Sequence, residues 1–385
     1  MENLPLTGTR IISFEQFGAA PYCTMLLADL GADVIKVEDG AGDYARRSGP
    51  QSLGEADSLY FQTFNLNKRS LCLNLKSADD RRLFEQIVPD CDAVVNNLRG
   101  SLPAKLGLDY AALGPLHPAI VCGHISAYGR TGSRAEWPGY DFLMQAEAGI
   151  MALTGEPDSV PSRVGLSMID YMTGTMLATG LLAAISGAQR TGIGRDVDVS
   201  LFDTALHQLA YQGAWLLNDD LDTPRQPRSA HPSNAPVQLF HAADGWIYIC
   251  CMNDKFWDIL LEHIDNGDLA ADARFSTMAG RGANREALTE KLDAIFGTRP
   301  VQAWIDLLKG QIPVAPVVSL RGALENPFVA EAEMVRELPH RSGRTLKMLA
   351  NPIRLNGERL PQREGPALDA DGDTIRAQYL SPGAI

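Results

Sequence analysis

Between Asp158 and Asp196 this 385-residue chain carries a single acidic residue, Asp170. It stands where a loop with Pro161, Ser162 and Arg163 runs into Thr173–Ile185, a stretch with no charge and no proline. The length of that stretch predicts a buried helix rather than a strand. Its small residues Gly174, Ala178 and Gly180 leave room for a second backbone to pass close by. A carboxylate on the first turn of a buried helix has two uses. It can cap the helix, accepting one of the backbone N–H groups that lack an intrahelical partner. Or it can be a nucleophile at the edge of a cleft, steadied by helix-terminal N–H groups. Residue type and position leave both open.

Other chemistries find less support. Gly165–Leu166–Ser167 lacks the second glycine of a hydrolase elbow. His124 and His207 lie in apolar runs, where a lone histidine is read as a satisfied core residue. No H-x-x-x-H spacing occurs, and none of the six cysteines forms a CxxC pair, so no metal site and no disulfide framework is expected. What remains is a set of basic residues beside strand ends: Lys36, Arg46, Arg47, Lys68, Arg69, Lys76, Arg99 and Lys105. Singly, each reads as a solvated charge. Together they gather at the exits of a parallel sheet, where such sheets bind ligands. That suits a ligand with several phosphates, held by point charges and helix N-termini.

The elements that position these residues follow from the pattern. Arg10–Phe14 and Asp33–Glu38 read as strands around a helix with Pro21 in its first turn and Gly31 at its end. This βαβ unit makes the sheet parallel. Its first turn, FEQFGAAP, has one glycine where a dinucleotide site needs G-x-G-x-x-G. Glu38 resembles a ribose-binding acid, yet an NAD site is poorly supported without the glycines. A non-catalytic nucleotide-binding α/β protein is the alternative from another class.

Strands follow at Leu71–Leu75, Ala93–Val95, Ala119–Ser126 and Asp196–Leu201, with helices at Ala78–Ile87, Tyr140–Ile150 and Phe202–Leu217. Asn218–Asn234 is polar, holds three prolines and reads as a linker. Beyond it lie a hairpin over Val237–Cys251, helices around Phe256–Ile264, Arg285–Phe296 and Val301–Leu308, and a strand at Pro316–Leu320. Glu325–Arg344 reads as a second connector. The last forty residues carry little pattern and are expected to return to the first domain.

At 385 residues the chain exceeds one compact core. Its net charge of −13 argues against affinity for nucleic acid or anionic membrane. Any site for a phosphorylated ligand must then be a local basic patch. MENLPLTGTR has no signal-peptide core, and no run of about 18 apolar residues goes without polar breaks. A reducing, cytoplasmic compartment is expected.

Several segments together resemble the class III CoA-transferase family, the group of formyl-CoA and carnitine CoA-transferases. They are GAAPYCTMLLADLGADVIKVED, GDYARRSG, FNLNKRSLCLNLKS, NNLRGSLPAKLGLDYAAL and GHISAYGRTGSRAEWPGYDFLMQAEAGIMALTGE. DGWIYICCMNDKFW and ADARFSTMAGRGANREAL continue the match in the family's order. The resemblance implies an α/β fold: a large Rossmann-like parallel-sheet domain and a smaller α+β domain. The first part of the large domain is residues 1–217, followed by a linker at 218–235. The small domain is 236–324, a second linker 325–345, and 346–385 returns to the large domain. Family members form interlocked ring homodimers.

The resemblance also places Asp170 on the family's catalytic aspartate, ahead of a Thr-Gly pair that is Thr173–Gly174 here. It implies transfer of CoA from an acyl-CoA to a free carboxylic acid through an aspartyl anhydride and an aspartyl-CoA thioester. A closed site between two domains would keep water from the thioester. CoA is a substrate, and no cofactor is bound permanently. Leu73, Lys76, Asn97, Leu98, Arg99 and Lys105 fall on CoA-binding positions, with Leu98 where an aromatic is common and Lys105 where arginine is usual. At Asp39 some members have an arginine near the adenosine 3′-phosphate, and Arg46 or Arg47 would replace it. Phe17 and Gly18 fall on the loop facing the thioester, a source of oxyanion donors. Tyr140 and Asp141 fall beside the catalytic aspartate.

Cys250–Phe256 lacks the glycine-rich loop of the formyl-CoA branch, so the acid is not oxalate or is gripped differently. The same fold hosts α-methylacyl-CoA racemases, the alternative activity, which place a histidine in a G-H-D segment. Here the segment is Gly139–Tyr140–Asp141. A tyrosine with a pKa near 10 is a poor base at neutral pH, which favours transfer over racemisation.

Overall fold

The computed structural model describes residues 4–265 and 267–380. The chain forms two compact units. One comprises Met1–Ala148, Val164–Ala210 and Pro327–Ile385; the other comprises Gly149–Arg163 and Tyr211–Asn326.

The first unit is built on six parallel strands: β1 (Arg10–Phe14), β2 (Asp33–Glu38), β3 (Arg69–Cys72), β4 (Ala93–Asn96), β5 (Val121–Ser126) and β6 (Arg195–Ser200). Their spatial order is β3-β2-β1-β4-β5-β6. Ile11 and Ile12 are both buried, as are Val34 and Ile35. Such unbroken apolar runs suit a sheet covered on both faces. The helices of this unit include α1 (Ala19–Asp29), α2 (Leu59–Asn65), α3 (Ala78–Ile87), α4 (Asp141–Glu147), α5 (Met168–Thr191) and α6 (Leu201–His207). On one face Ile12, Ile35, Leu71 and Val94 pack with Leu83, Phe84 and Ile87 of α3. On the other, α5 lies against α1, β5 and β6.

Gly174 explains the closeness of α1 and α5, since a Cβ there would lie 2.5 Å from Ala19 O. The 24-residue α5 ends at Gly192, whose φ of 72° disfavours other residues. By length and composition α5 could cross a membrane. Threonines and glycines interrupt the apolar run, so its sequence does not look like a membrane span. In this fold Ile169, Leu177, Leu181 and Ile185 are core residues.

The second unit holds a three-stranded antiparallel sheet of Val237–Ala242, Gly245–Cys250 and Val314–Pro316. Helices Asp254–His263, Arg285–Phe296 and Val301–Leu308 pack on it around Phe240, Ile247, Trp257, Phe296 and Trp304. Its hairpin turns at Ala243–Asp244, as expected.

Three expectations need correction. The strand expected at Pro316–Leu320 ends at Pro316, because Ser319 caps a helix over Leu320–Leu324 by accepting from Gly322 N. The helix expected over Phe202–Leu217 breaks at Ala210, which has φ of 46°, and continues as α7 (Ala210–Asp219). The polar stretch Glu325–Arg344 contains a strand, Val335–Pro339, paired antiparallel with Thr345–Leu349. Its sequence looks like a connector because Leu338 is the strand's one buried side chain, opposite the buried Leu346.

Candidate active site

The strand order reverses direction between β1 and β4. In open parallel sheets, ligands bind beyond the carboxyl ends of the strands at such a switch point. A cavity of about 390 Å³ lies there, lined by Gln16–Ala19 after β1, Asn97–Arg99 after β4, Tyr140 and Asp170.

The loop after β1 is clamped from several sides. Asn97 Oδ1 accepts from Gln16 N at 3.0 Å, and its Nδ2 donates to Gln16 O at 2.8 Å. Lys36 Nζ donates to Glu15 O at 2.9 Å. Asp43 Oδ1 accepts from Phe17 N at 3.3 Å and from Ala45 N at 2.9 Å. Phe17 is thereby held at φ of 60°, a conformation uncommon outside glycine. Its ring stacks on Tyr44 and meets Tyr140 edge-on.

Gly18 then starts α1, whose N-terminus has no side-chain cap. A Cβ on Gly18 would lie 3.1 Å from Asp170 Oδ2, so backbone and carboxylate are neighbours. Of the two expected oxyanion donors, the Phe17 N–H is therefore engaged by Asp43. Among the described residues, no hydrogen bond is made by the N–H of Gly18 or of the first residues of α1.

Asp170 is the third residue of α5. Among the described residues its carboxylate has no hydrogen-bond partner, which corrects the reading of Asp170 as the helix cap. Asp141 caps the helix instead. Its Oδ2 accepts from Ile169 N at 2.6 Å and from Asp170 N at 3.1 Å. Burial pushes the Asp170 carboxyl from 3.8 up to about 7, and the negative charge of Asp141 adds to the shift. Asp141 is itself buried, and its Oδ1 accepts from Gln145 Nε2 at 2.6 Å. Both Asp141 oxygens are thus used inside the protein, which corrects the expectation from the resemblance that Asp141, with Tyr140, would serve the substrate. Tyr140 is 63% exposed, and its hydroxyl has no partner among the described residues.

The basic residues divide sharply. Lys36, Lys68 and Arg46 have no exposed side-chain surface, and each is paired. Lys36 meets Asp43 at 2.9 Å, Lys68 meets Glu15 at 2.7 Å, and Arg46 meets Glu38 at 2.7 Å. Burial alone would raise the Glu15 carboxyl, but Lys68 and Lys36 hold it below its ordinary value. Arg46 is thus committed to the core and corrected as a phosphate ligand. Glu38, compared above with a ribose-binding acid, is its partner.

Arg47, Lys76, Arg99 and Lys105 are exposed. Arg47 donates to Ala41 O at 2.6 Å. Leu73, Leu98 and Lys76 line a second cavity of about 600 Å³, which shares Gln16 and Leu98 with the first. Asp39 lies on it with its carboxylate turned onto Ala41 N and Gly42 N. Arg99 lines the first cavity, and Lys105 lines neither. Asn97, half-buried and bonded on both sides to Gln16, shapes the loop.

His124 is a satisfied core residue between Asn96 and Asp196, as expected. His207 is exposed at the end of α6, a correction. Asp43 and Gln145 were not among the expected site residues. An Asp followed by Tyr44–Arg47 is a turn-capping signal for the first. The four-residue spacing from Asp141 is a helix-pair signal for the second.

A switch-point cavity with a carboxylate on its wall that is unbonded among the described residues is a geometry that group transfer could use. The chain belongs to CoA-transferase family III, whose model matches residues 6–372, and it is a CoA-transferase. It is 35% identical to the acetyl-CoA:oxalate CoA-transferase of Acetobacter aceti, over 99% of this chain and 97% of that one. It is 34% identical to the succinyl-CoA:mesaconate CoA-transferase of Haloarcula hispanica, over 99% and 96%. The crystal structure of a CAIB/BAIF family protein from Brucella suis matches with a TM-score of 0.85 at 33% identity, covering 98% of this chain and all of that one.

Proposed function

We propose that this enzyme moves CoA from an acyl-CoA thioester to a free carboxylic acid with Asp170 as nucleophile. The observation that carries this reading is the Asp170 carboxylate itself. It is unbonded, faces a cavity at the switch point, and lies against Gly18 at the uncapped N-terminus of α1. The carboxylate attacks the thioester carbonyl, and the C–S bond breaks to give a mixed anhydride and CoA thiolate. The thiolate then attacks the aspartyl carbonyl, releasing the first acid and leaving an aspartyl-CoA thioester. A second carboxylate repeats both steps in reverse and restores Asp170. Each tetrahedral intermediate puts an oxyanion beside the Gly18 and Ala19 N–H groups.

The raised affinity of Asp170 for protons fits a nucleophile, since a more basic carboxylate attacks more readily. Lys76 and Arg99 are the exposed cations on the two cavities, suited to CoA phosphates. Relatives named for oxalate, mesaconate and glutarate support a dicarboxylic acid as acceptor. The Tyr140 hydroxyl is suited to hydrogen-bond its carboxylate.

A homodimer belongs to the same proposal. Helix α7 buries none of its residues and exposes Tyr211, Leu216 and Leu217. Further on, Val317, Val318, Leu320 and Phe328 are exposed as well. Such apolar surface favours a second copy.

The test is chemical trapping. Incubation with acyl-CoA and hydroxylamine should convert Asp170 to its hydroxamate, located by peptide mass mapping. Near-native transfer by Asp170→Ala would sink the nucleophile assignment.

A further inference from the structure

Asp141 stands behind the nucleophile rather than beside the substrate. It is 2% exposed, and both of its oxygens are engaged. Oδ2 collects the Ile169 and Asp170 N–H groups at the start of α5, at 2.6 and 3.1 Å. Ser167, the residue in the capping position, makes no such bond. Oδ1 is held by Gln145, which is fully buried. Gln145 also accepts from Val164 N at 2.9 Å and donates to Leu166 O at 3.2 Å. Asp141 and Gln145 therefore tie α4 to the segment that delivers Asp170.

The arrangement has an electrostatic side. Capping is ordinarily done as well by a neutral serine, threonine or asparagine as by aspartate. A neutral cap would leave Asp170 free of like-charge repulsion. The charge of Asp141 on α4 adds to the burial that raises Asp170, and Asp170 in turn helps to raise the Tyr60 phenol of α2 and Tyr171 of α5. Of these three neighbours, Asp141 is the carboxylate, and it lies on the backbone of the first turn of α5.

We propose that Asp141 is a positioning residue for Asp170, capping the first turn of α5 and setting the field in which the nucleophile ionises. The proposal rests on the reading of Asp170 as nucleophile. It follows that charge and cap are separable. Asp141→Asn keeps a capping oxygen and removes the charge. Asp141→Glu keeps the charge and moves the cap.

The experiment is the pH dependence of the single-turnover release of CoA thiol from an acyl-CoA, with folding of each variant checked by circular dichroism. In the native enzyme the acid limb should lie near neutral pH. Asp141→Asn should move that limb about one pH unit downward, the size of a close like-charge effect, and lower the plateau several-fold. Asp141→Glu should lower the plateau and leave the limb in place. Asp141→Ser, a smaller neutral cap, is the second variant and should move the limb as Asn does. A role in folding alone would lower plateau or melting temperature and leave every limb unmoved, and that result overturns the proposal. Trapping at Asp170 in the native enzyme separates the two readings. If the hydroxamate forms there while the limb stays put in both neutral variants, the nucleophile stands and the Asp141 proposal falls. If no label reaches Asp170, the nucleophile reading itself has failed.

Discussion

Asp170→Asn should make the protein more stable as it makes it inactive. The variant keeps the side-chain shape and removes a charge that sits half-buried beside Asp141. The sign follows from proton binding. The unfolded carboxyl ionises at its ordinary 3.8, whereas the folded one holds its proton to about 7. Between these values the native state binds more protons than the unfolded state, so stability is lost as pH rises and is fully retained only below about 4. Carrying a carboxyl from 3.8 to about 7 is worth about 4 kcal/mol, and roughly half that once the solvent reaching the cavity side is counted. Native enzyme and Asp170→Asn should therefore melt together near pH 4. The variant should pull ahead by about 2 kcal/mol, several degrees, at pH 8. Thermal melts across that range are the assay, with CoA transfer measured in parallel. An advantage that does not grow with pH, or a variant less stable than native at pH 8, refutes the reasoning.

Gly174→Ala places a methyl 2.5 Å from Ala19 O and 3.2 Å from Cys23 N, so α1 and α5 must part. A loss of about 1–3 kcal/mol and slower transfer are expected by melting and turnover; neither changing would contradict the close approach. Lys76→Ala and Arg99→Ala should each weaken CoA binding a few-fold, about 0.5–1 kcal/mol, while single-turnover chemistry is less affected, and native binding should weaken with salt. Titration calorimetry showing unchanged affinity in both would move the phosphates elsewhere. With a 2-methylacyl-CoA in heavy water and no free acid, no deuterium should enter the α-carbon. Rapid exchange that survives Tyr140→Phe, together with no transfer to any acid, would favour the racemase.

Strands β1 and β2 and helix α3 were legible to the residue, because continuous apolar runs and capping signals are local. From residue type and position alone Asp170 was legible as a choice between two uses, and only the resemblance favoured the nucleophile. Asp141, which lies 29 residues earlier, supplies the cap and so removes the capping use. Arg46 shows the opposite failure. Its sequence neighbours make it look like a surface cation, and only the folded position of Glu38 shows it to be core. The break at Ala210 was invisible because nothing in the local sequence requires a positive φ there.

The ion pairs beneath the loop after β1 also constrain how this chain can change over time. Lys36 touches both Asp43 and Glu15, and Glu15 in turn holds Lys68 and Thr24. Replacing any one member leaves a buried charge without its partner, at a cost of about 3–5 kcal/mol. That is a large part of the stability an ordinary domain possesses. Single substitutions at these positions are thus nearly closed routes, although an apolar set of the same volume would fit the space. Glu15, Lys36, Asp43 and Lys68 are thus one energetic unit, and a change in any of them is felt at the Phe17–Gly18 turn that Asp43 and Lys36 clamp.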